Sequence, residues 1–322
     1  MAYRLDDKMV IGVSSRALFD LTVENEIFET QGVEAYCRYQ VEHEEEILKP
    51  GPGFWLGKQL LKLNEYFESG DRVEVIVMSR NSPDTSLRVF NAIRYYGLPI
   101  TRAVLVSGAA LAPYLAAFHT DLFLSAYEDD VQCAIDSGIA AGIICTGHSY
   151  ESRYPFKVIE GGNYSAVKEP AKEQSGIRIA FDADAVLFTD ESEKIFQNFG
   201  LSAFEKNEED KAEIPLAEGP FAKFLCKLNS LKEEICAESD PIRIALVTSR
   251  SAPAHERVIR TLRSWKVHVD EAFFLGGLEK KDFLKAFGAQ IFFDDQTQHT
   301  VSASEEVPSA RVPYRRTRAV NY

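Results

Sequence analysis

The sequence predicts an α/β protein made of two tandem Rossmann-like units with mostly parallel sheets, the second unit carrying a small helical cap insertion. Three observations carry this reading. Short apolar, β-branched runs alternate with segments of helical spacing, the pattern of strands joined by crossover helices. The landmarks of the first half return in the same order in the second. At 322 residues the chain is also long enough for two domains of about 150 residues, each burying its own core.

In the first half, Val10 to Val13 reads as a buried strand ending in Ser14-Ser15-Arg16, and helical spacing follows from Glu24 to Gln40. Glu42 to Glu46 is a solvated face, Pro50-Gly51-Pro52-Gly53 marks a loop, and Phe54 to Phe67 is again helical. Val73 to Met78 forms the second strand and runs into Ser79-Arg80-Asn81. A helix from Thr85 to Tyr96 leads to strands at Ala103 to Val106, Leu122 to Ser125 and Ile139 to Cys145. The second half repeats this with strands Ile177 to Phe181, Ile242 to Val247, Ala272 to Leu275 and Gln290 to Phe293. The expected division is a first unit over 1–150, a polar linker over 151–176 and a second unit over 177–322. The segment Thr189 to Asn229, between the first two strands of the second unit, is where a cap would be built.

Composition narrows the function classes. Hydrophobic residues at 45% and charged residues at 26% are ordinary for a soluble globular protein. A formal net charge of −13 argues against general binding to nucleic acid or anionic membranes, both of which need a basic surface. The five cysteines form no CxxC pair and read as free thiols in a reducing compartment. No apolar run reaches the roughly 18 residues of a membrane span, and the start MAYRLDDKMV lacks a signal-peptide core, so the expected location is the cytoplasm.

The two copies differ where chemistry would sit. Ile11 to Phe28 lies over Ile179 to Phe196 without a gap, Ser79-Arg80 over Ser249-Arg250, Gly108 over Gly277 and Ser125 over Asp294. In that register Asp182 and Asp184 face Ser14 and Arg16, and Asp294-Asp295 face Ser125-Ala126. Serine could replace an aspartate that only caps a turn, whereas arginine and alanine could not. The first copy therefore reads as the same scaffold with its acidic cluster removed.

In a doubly wound sheet the strand ends converge on one crevice, which is where ligands bind. The second copy brings there Asp182, Asp184, Thr248, Ser249, Lys280, Asp294 and Asp295. Carboxylates from two strands are hard oxygen ligands of the kind Mg²⁺ prefers. A hydroxyl and an ammonium on the other strand ends suit the oxygens of a phosphoryl group. The set matches phosphoryl transfer to an aspartate, with Asp182 as nucleophile and Asp184 as acid and base. Thr248, Ser249 and Lys280 are then the phosphate ligands, and Asp182, Asp184, Asp294 and Asp295 the metal set. Arg250 is ambiguous between a structural and a nucleotide-contacting role, because Arg80 occurs in the copy without carboxylates. Phe199, Phe204 and Phe221 could stack on a base, although core packing is the simpler reading.

DxDxV after an apolar strand, a strand ending in Thr, a downstream Lys and a strand ending in DD together resemble the haloacid dehalogenase superfamily of phosphohydrolases. The longer strings FDADAVLFTDESE, TSRSAPAHERVIRTLRSW, FFLGGLEKKDFLKAF and IFFDDQ are similar to the cytosolic 5′-nucleotidase I family, and VSSRALFDL, SPDTSLRVFNAI and LFLSA extend the likeness into the first half. The resemblance implies Mg²⁺-dependent hydrolysis of nucleoside 5′-monophosphates, AMP and deoxynucleotides among them, to nucleoside and phosphate. A phosphatase for sugar phosphates on the same machinery is the enzymatic alternative. A nucleotide-binding regulator is the non-enzymatic one. The first unit could pack against the active one, form the interface of a homo-oligomer, or hold an effector nucleotide.

Overall fold

The apolar runs become strands because their β-branched and aromatic side chains pack on both faces of a pleated sheet. The computed structural model describes residues 3–68, 70–145, 156–158, 164–166, 176–235 and 240–314. In chain order the strands are β1 (Met9–Val13), β2 (Val73–Ser79), β3 (Arg102–Leu105), β4 (Leu122–Ser125) and β5 (Ala140–Ile144). A small antiparallel pair follows, β6 (Phe156–Val158) and β7 (Tyr164–Ala166). The second half supplies β8 (Ile177–Phe181), β9 (Ile242–Thr248), β10 (Glu271–Phe274), β11 (Ile291–Asp294) and β12 (Ser309–Arg311).

Among the described residues the strands of the two expected sheets form a single sheet, ten strands wide, in the order β10-β9-β8-β11-β12-β5-β4-β1-β2-β3, with β6 and β7 as a separate pair. Each half contributes five strands in the same relative order, and every pairing inside a half is parallel. The halves meet at β12 and β5, which pair antiparallel through Ala310 opposite Ile144 and Arg311 opposite Ile143. Gly142 makes this seam possible, since a Cβ there would stand 2.9 Å from the Ala310 Cβ and 3.2 Å from the Phe293 ring. The antiparallel join has a consequence for function. The C-terminal strand ends of the first half lie along one edge of the sheet, and those of the second half along the opposite edge.

Helices cover both faces. The helical spacing expected from Glu24 to Gln40 is two helices, Thr22–Gln31 and Val33–Glu42, broken at Gly32, whose φ of 85° an L side chain rarely adopts. The second half repeats the break at Gly200 (φ 81°), between Glu191–Phe199 and Leu201–Asp210. A helix pair after the first strand thus belongs to both halves and is not an insertion peculiar to the second. The expected linker over 151–176 lies outside the described residues apart from the β6–β7 pair and Gly176. Cys37, Cys133, Cys145 and Cys226 are free thiols, and Cys236 lies outside the described residues. Among the described residues no helix is long and apolar enough to cross a membrane.

Backbone hydrogen bonds correct the register of the repeat. Asn81 N donates to Ser79 Oγ as Arg250 N donates to Thr248 Oγ1. Ser107 N likewise reaches Asn81 O as Gly276 N reaches Arg250 O. Thr248 therefore corresponds to Ser79, and Arg250 to Asn81 rather than to Arg80. A strand end followed by a reversing chain is alike in both copies, and only the bonds reveal the one-residue offset.

Candidate active site

β8 is buried and flanked by β9 and β11, so it projects its C-terminal residues into the middle of the second half's strand-end edge. Asp182 N donates to Phe293 O on β11, which locks the strand end in place (2.8 Å). The chain then makes one wide turn, Ala183 to Leu187, closed by Phe188 N donating to Ala183 O (2.9 Å). Ala185 in this turn has φ 57° and ψ 1°, a left-handed conformation that costs a residue with a Cβ about 1–2 kcal/mol.

The first half shows what is special about the turn. There, Gly51 N and Gly53 N donate to Leu18 O and Ala17 O; in the second half Gly219 N and Phe221 N donate to Leu187 O and Val186 O. Since Ser14 and Asp182 occupy the same strand-end position, the second half holds one extra residue between strand end and landing point. The gapless overlay of Ile11 to Phe28 on Ile179 to Phe196 hides this extra residue, because the following helix is one residue shorter. Wide turns of this kind and strained backbone concentrate at functional sites, and this one sits between Asp182 and Val186.

Three elements converge on Asp182. β11 delivers Asp294, fully buried, and the half-buried Asp295 beyond it. Lys280, at the start of the helix Lys281–Phe287, reaches down with its Nζ 2.7 Å from Asp182 Oδ1 and 2.7 Å from Asp294 Oδ2. Asp182 and Lys280 are almost wholly buried. His299 Nδ1 lies 3.1 Å from Asp294 Oδ2. Carboxylate oxygens of Asp182, Asp294 and Asp295 all lie within 4.8 Å of one another.

Burial and charge set the protonation of this group. Burial, reinforced by Asp294 and Asp184, raises the Asp182 carboxyl to about 7 against the pull of Lys280. Asp295 is pushed to about 8 by burial and by Asp182 and Asp294. Burial also works to raise Asp294, but Lys280 and His299 outweigh it and hold that carboxyl below the usual range. Lys280 is held charged, since its two carboxylate partners more than offset its burial. Two aspartates that retain protons beside one that stays ionised are poised for a further positive charge.

Asp184, expected in the metal set, is placed apart from its other three members. Both its oxygens are engaged by Arg250, through Nε (2.8 Å) and Nη2 (2.6 Å), and it does not belong to the three-carboxylate group. Arg250 also donates through Nη1 to Glu208 (2.5 Å), a fully buried carboxylate that further accepts from Arg257 (3.0 Å) and Ser192 (2.8 Å). The ambiguity over Arg250 resolves into a link between Asp184 and the helix Leu201–Asp210. Glu208 lies in a Glu-rich run that reads as solvated surface, so only its tertiary partners reveal it. His299 carries no spacing signal and is likewise invisible in the sequence. Thr248 is buried at the end of β9 and Ser249 is exposed beside it. Phe221 packs in the core against Phe181 and Phe293, Phe204 lies under the Arg250 guanidinium, and Phe199 is exposed.

The acids are not required by the fold. Gln296 N donates to Asp294 Oδ1, and in the first half Tyr127 N donates to Ser125 Oγ at the same place. Ser14 occupies the Asp182 position and caps the following turn through Ala17 N. Leu111 stands where Lys280 does, each accepting from the residue one helical turn later.

Comparison with known proteins gives the family of the chain. Human cytosolic 5′-nucleotidase 1B is 35% identical over 305 residues, which is 92% of this chain and 47% of that protein. The chain therefore spans about half the length of this curated relative. A solved structure described as "Structure of Pnkp1/Rnl/Hen1 complex" covers 97% of this chain and 98% of its own, but at 12% identity and a TM-score of 0.30 it bears on nothing here. The family model of the 5′-nucleotidases matches residues 1–319, and the chain belongs to the 5′-nucleotidase family.

Proposed function

We propose that this chain is a phosphoric monoester hydrolase that converts nucleoside 5′-monophosphates, AMP and deoxynucleotides among them, to nucleoside and phosphate. The observation that carries the reading is the convergence of Asp182, Lys280, Asp294 and Asp295 on one sheet edge, at positions that the first half fills without the cluster. Family membership supplies the substrate class. We read 177–322 as the catalytic, haloacid dehalogenase-like unit and 1–150 as its degenerate counterpart. The name of the human relative supports a cytosolic location.

A carboxylate oxygen of Asp182 attacks phosphorus and the bond to the 5′ oxygen breaks, leaving an aspartyl-phosphate and a nucleoside alkoxide that Asp184 protonates. Asp184 then takes a proton from water, whose oxygen attacks the same phosphorus; phosphate leaves and the Asp182 carboxylate returns. Because Arg250 engages both Asp184 oxygens, one must be released toward the substrate before it can carry a proton. Thr248 and Ser249 offer hydroxyls, and Lys280 an ammonium, to the transferring oxygens. The donor set fits Mg²⁺, being three clustered carboxylates with hard oxygens only, and Asp182, Asp294 and Asp295 would hold it. Bound there, the ion supplies positive charge beside the phosphoryl group.

A panel of phosphomonoesters assayed with Mg²⁺ tests the reading. Nucleoside monophosphates are expected to be turned over fastest, and negligible rates on all of them beside rapid hydrolysis of sugar phosphates would overturn the substrate class. Asp182→Asn is expected to abolish turnover with the fold intact, and undiminished turnover would refute Asp182 as nucleophile.

A further inference from the structure

We propose that the first half holds a second site, a non-hydrolytic pocket for a nucleoside phosphate at the strand ends of β1 and β2. A cavity of about 500 Å³ opens there, within the range of about 300–1,000 Å³ typical of small-molecule sites. It occupies the place that the acidic cluster occupies in the other half. Because β12 and β5 pair antiparallel, it opens at the opposite edge of the sheet from Asp182 and is no extension of that site.

The lining has the chemistry of an anion site with an aromatic wall. Arg16 and Arg80 border the cavity, and both guanidinium groups lie over the ring of Tyr127, at 5.0 and 5.9 Å from its centre. Arg16 is half-buried and has no carboxylate partner among the described residues. Arg80 is only loosely paired, its Nε 3.4 Å from Asp130 and without a hydrogen bond. The other acid in the lining, Glu24, is paired with Arg88 (2.5 Å), so the cavity retains one guanidinium in excess. Planar guanidinium groups are the side chains best matched to phosphate oxygens. Tyr36 and Phe28 pack edge to face and, with Met78, give the remainder of the wall the character that accepts a planar ring.

The same positions explain why a bound ester would survive. Ser14 and Ser125 stand in place of Asp182 and Asp294, and Leu111 in place of Lys280. Among the described residues the two acids of the lining, Glu24 and Asp130, are paired with Arg88 and Arg80, and no carboxylate stands at the strand-end positions to attack phosphorus or collect a divalent ion. Phosphate is held by Arg16 directly, where the second half must first offset its own acids. This binding role stands apart from the catalytic assignment and does not depend on it.

Cys37 lines the cavity and Cys133 is exposed outside it, which provides a direct test in the full chain. N-ethylmaleimide labelling of the two thiols is followed by mass spectrometry in EDTA, with AMP, ribose 5-phosphate, inorganic phosphate or adenosine present. AMP is expected to slow labelling of Cys37 but not of Cys133, and each of the other three probes to protect less. Arg16→Gln should raise the AMP concentration for half-protection by about tenfold, the loss of one charge-assisted contact, while Asp182→Asn leaves it unchanged. The proposal fails if AMP does not protect Cys37, if protection is equal in Arg16→Gln, if ribose 5-phosphate protects as well as AMP, or if protection is lost in Asp182→Asn instead.

Discussion

Lys280→Met removes the one ammonium between Asp182 and Asp294 and leaves three clustered carboxyl groups with the His299 imidazole 3.1 Å from Asp294. Two hydrogen bonds of 2.7 Å are lost, both charge-assisted and almost wholly buried. Breaking a buried pair of this kind costs about 3–5 kcal/mol, and the folded protein limits the cost by binding a proton. The sign then follows. Asp182 and Asp295 are already raised, to about 7 and about 8, so the metal-free native state holds protons that the unfolded chain has released, and stability falls as pH rises from about 4 to about 8. Without Lys280 one further carboxyl, that of Asp294, is raised instead of lowered. Each extra proton retained by the folded state steepens the decline by about 1.4 kcal/mol per pH unit, or about 2.7 kcal/mol between pH 6 and pH 8. Urea unfolding of both proteins in EDTA at the two pH values measures this directly. The expected result is a destabilisation near 3 kcal/mol at pH 6 that grows at pH 8 and is partly recovered by Mg²⁺ at pH 8. A loss below about 1 kcal/mol at both pH values would refute the electrostatic account of the cluster.

Mg²⁺ binding should release protons from Asp182 and Asp295, so the midpoint concentration in a thermal-shift titration is expected to fall by more than about tenfold between pH 6 and pH 8; a pH-independent midpoint would count against those two ligands. Arg250→Met should destabilise by about 3 kcal/mol in chemical denaturation, at the low end for a buried pair because Glu208 keeps Arg257 and Ser192 and the Asp184 side chain is 17% exposed. Turnover should also fall in this variant, and unchanged kinetics would show that Arg250 does not position Asp184. Gly142→Val is expected to cost about 1–3 kcal/mol by pressing β5 against Ala310 and Phe293, and a urea midpoint equal to that of the parent would mean that the seam is looser than the 2.9 Å approach implies.

The sequence by itself determined nine of the ten strands of the main sheet, all but β12 (Ser309–Arg311), and most of the acid cluster. Runs such as Ile177 to Phe181 and Ile242 to Val247 are apolar because both faces of their sheet are covered, and a strand must end where Asp182 or Thr248 interrupts that character. The internal repeat made the acids conspicuous, since Ser14 and Ser125 show the same scaffold without them. Asp294 and Asp295 were legible for the same reason, as departures from a pattern carried twice, whereas Lys280 was legible from its spacing after Gly276-Gly277.

Tertiary structure decided what periodicity does not encode. Strand patterns are blind to the partner of an edge strand, so the merging of two expected sheets into one through β12 and β5 rests on the close approach at Gly142. One extra residue in the turn after Asp182 leaves no mark on hydrophobic spacing when the next helix is one residue shorter, and it emerges only from the carbonyls that Gly219 and Phe221 choose. The hold of Arg250 on Asp184 and Glu208 joins residues far apart in the chain, and a glutamate in an acidic run looks solvated until its partners are seen. The antiparallel seam is also what sends the two sets of strand ends to opposite edges, the acids to one and the arginine-lined cavity to the other.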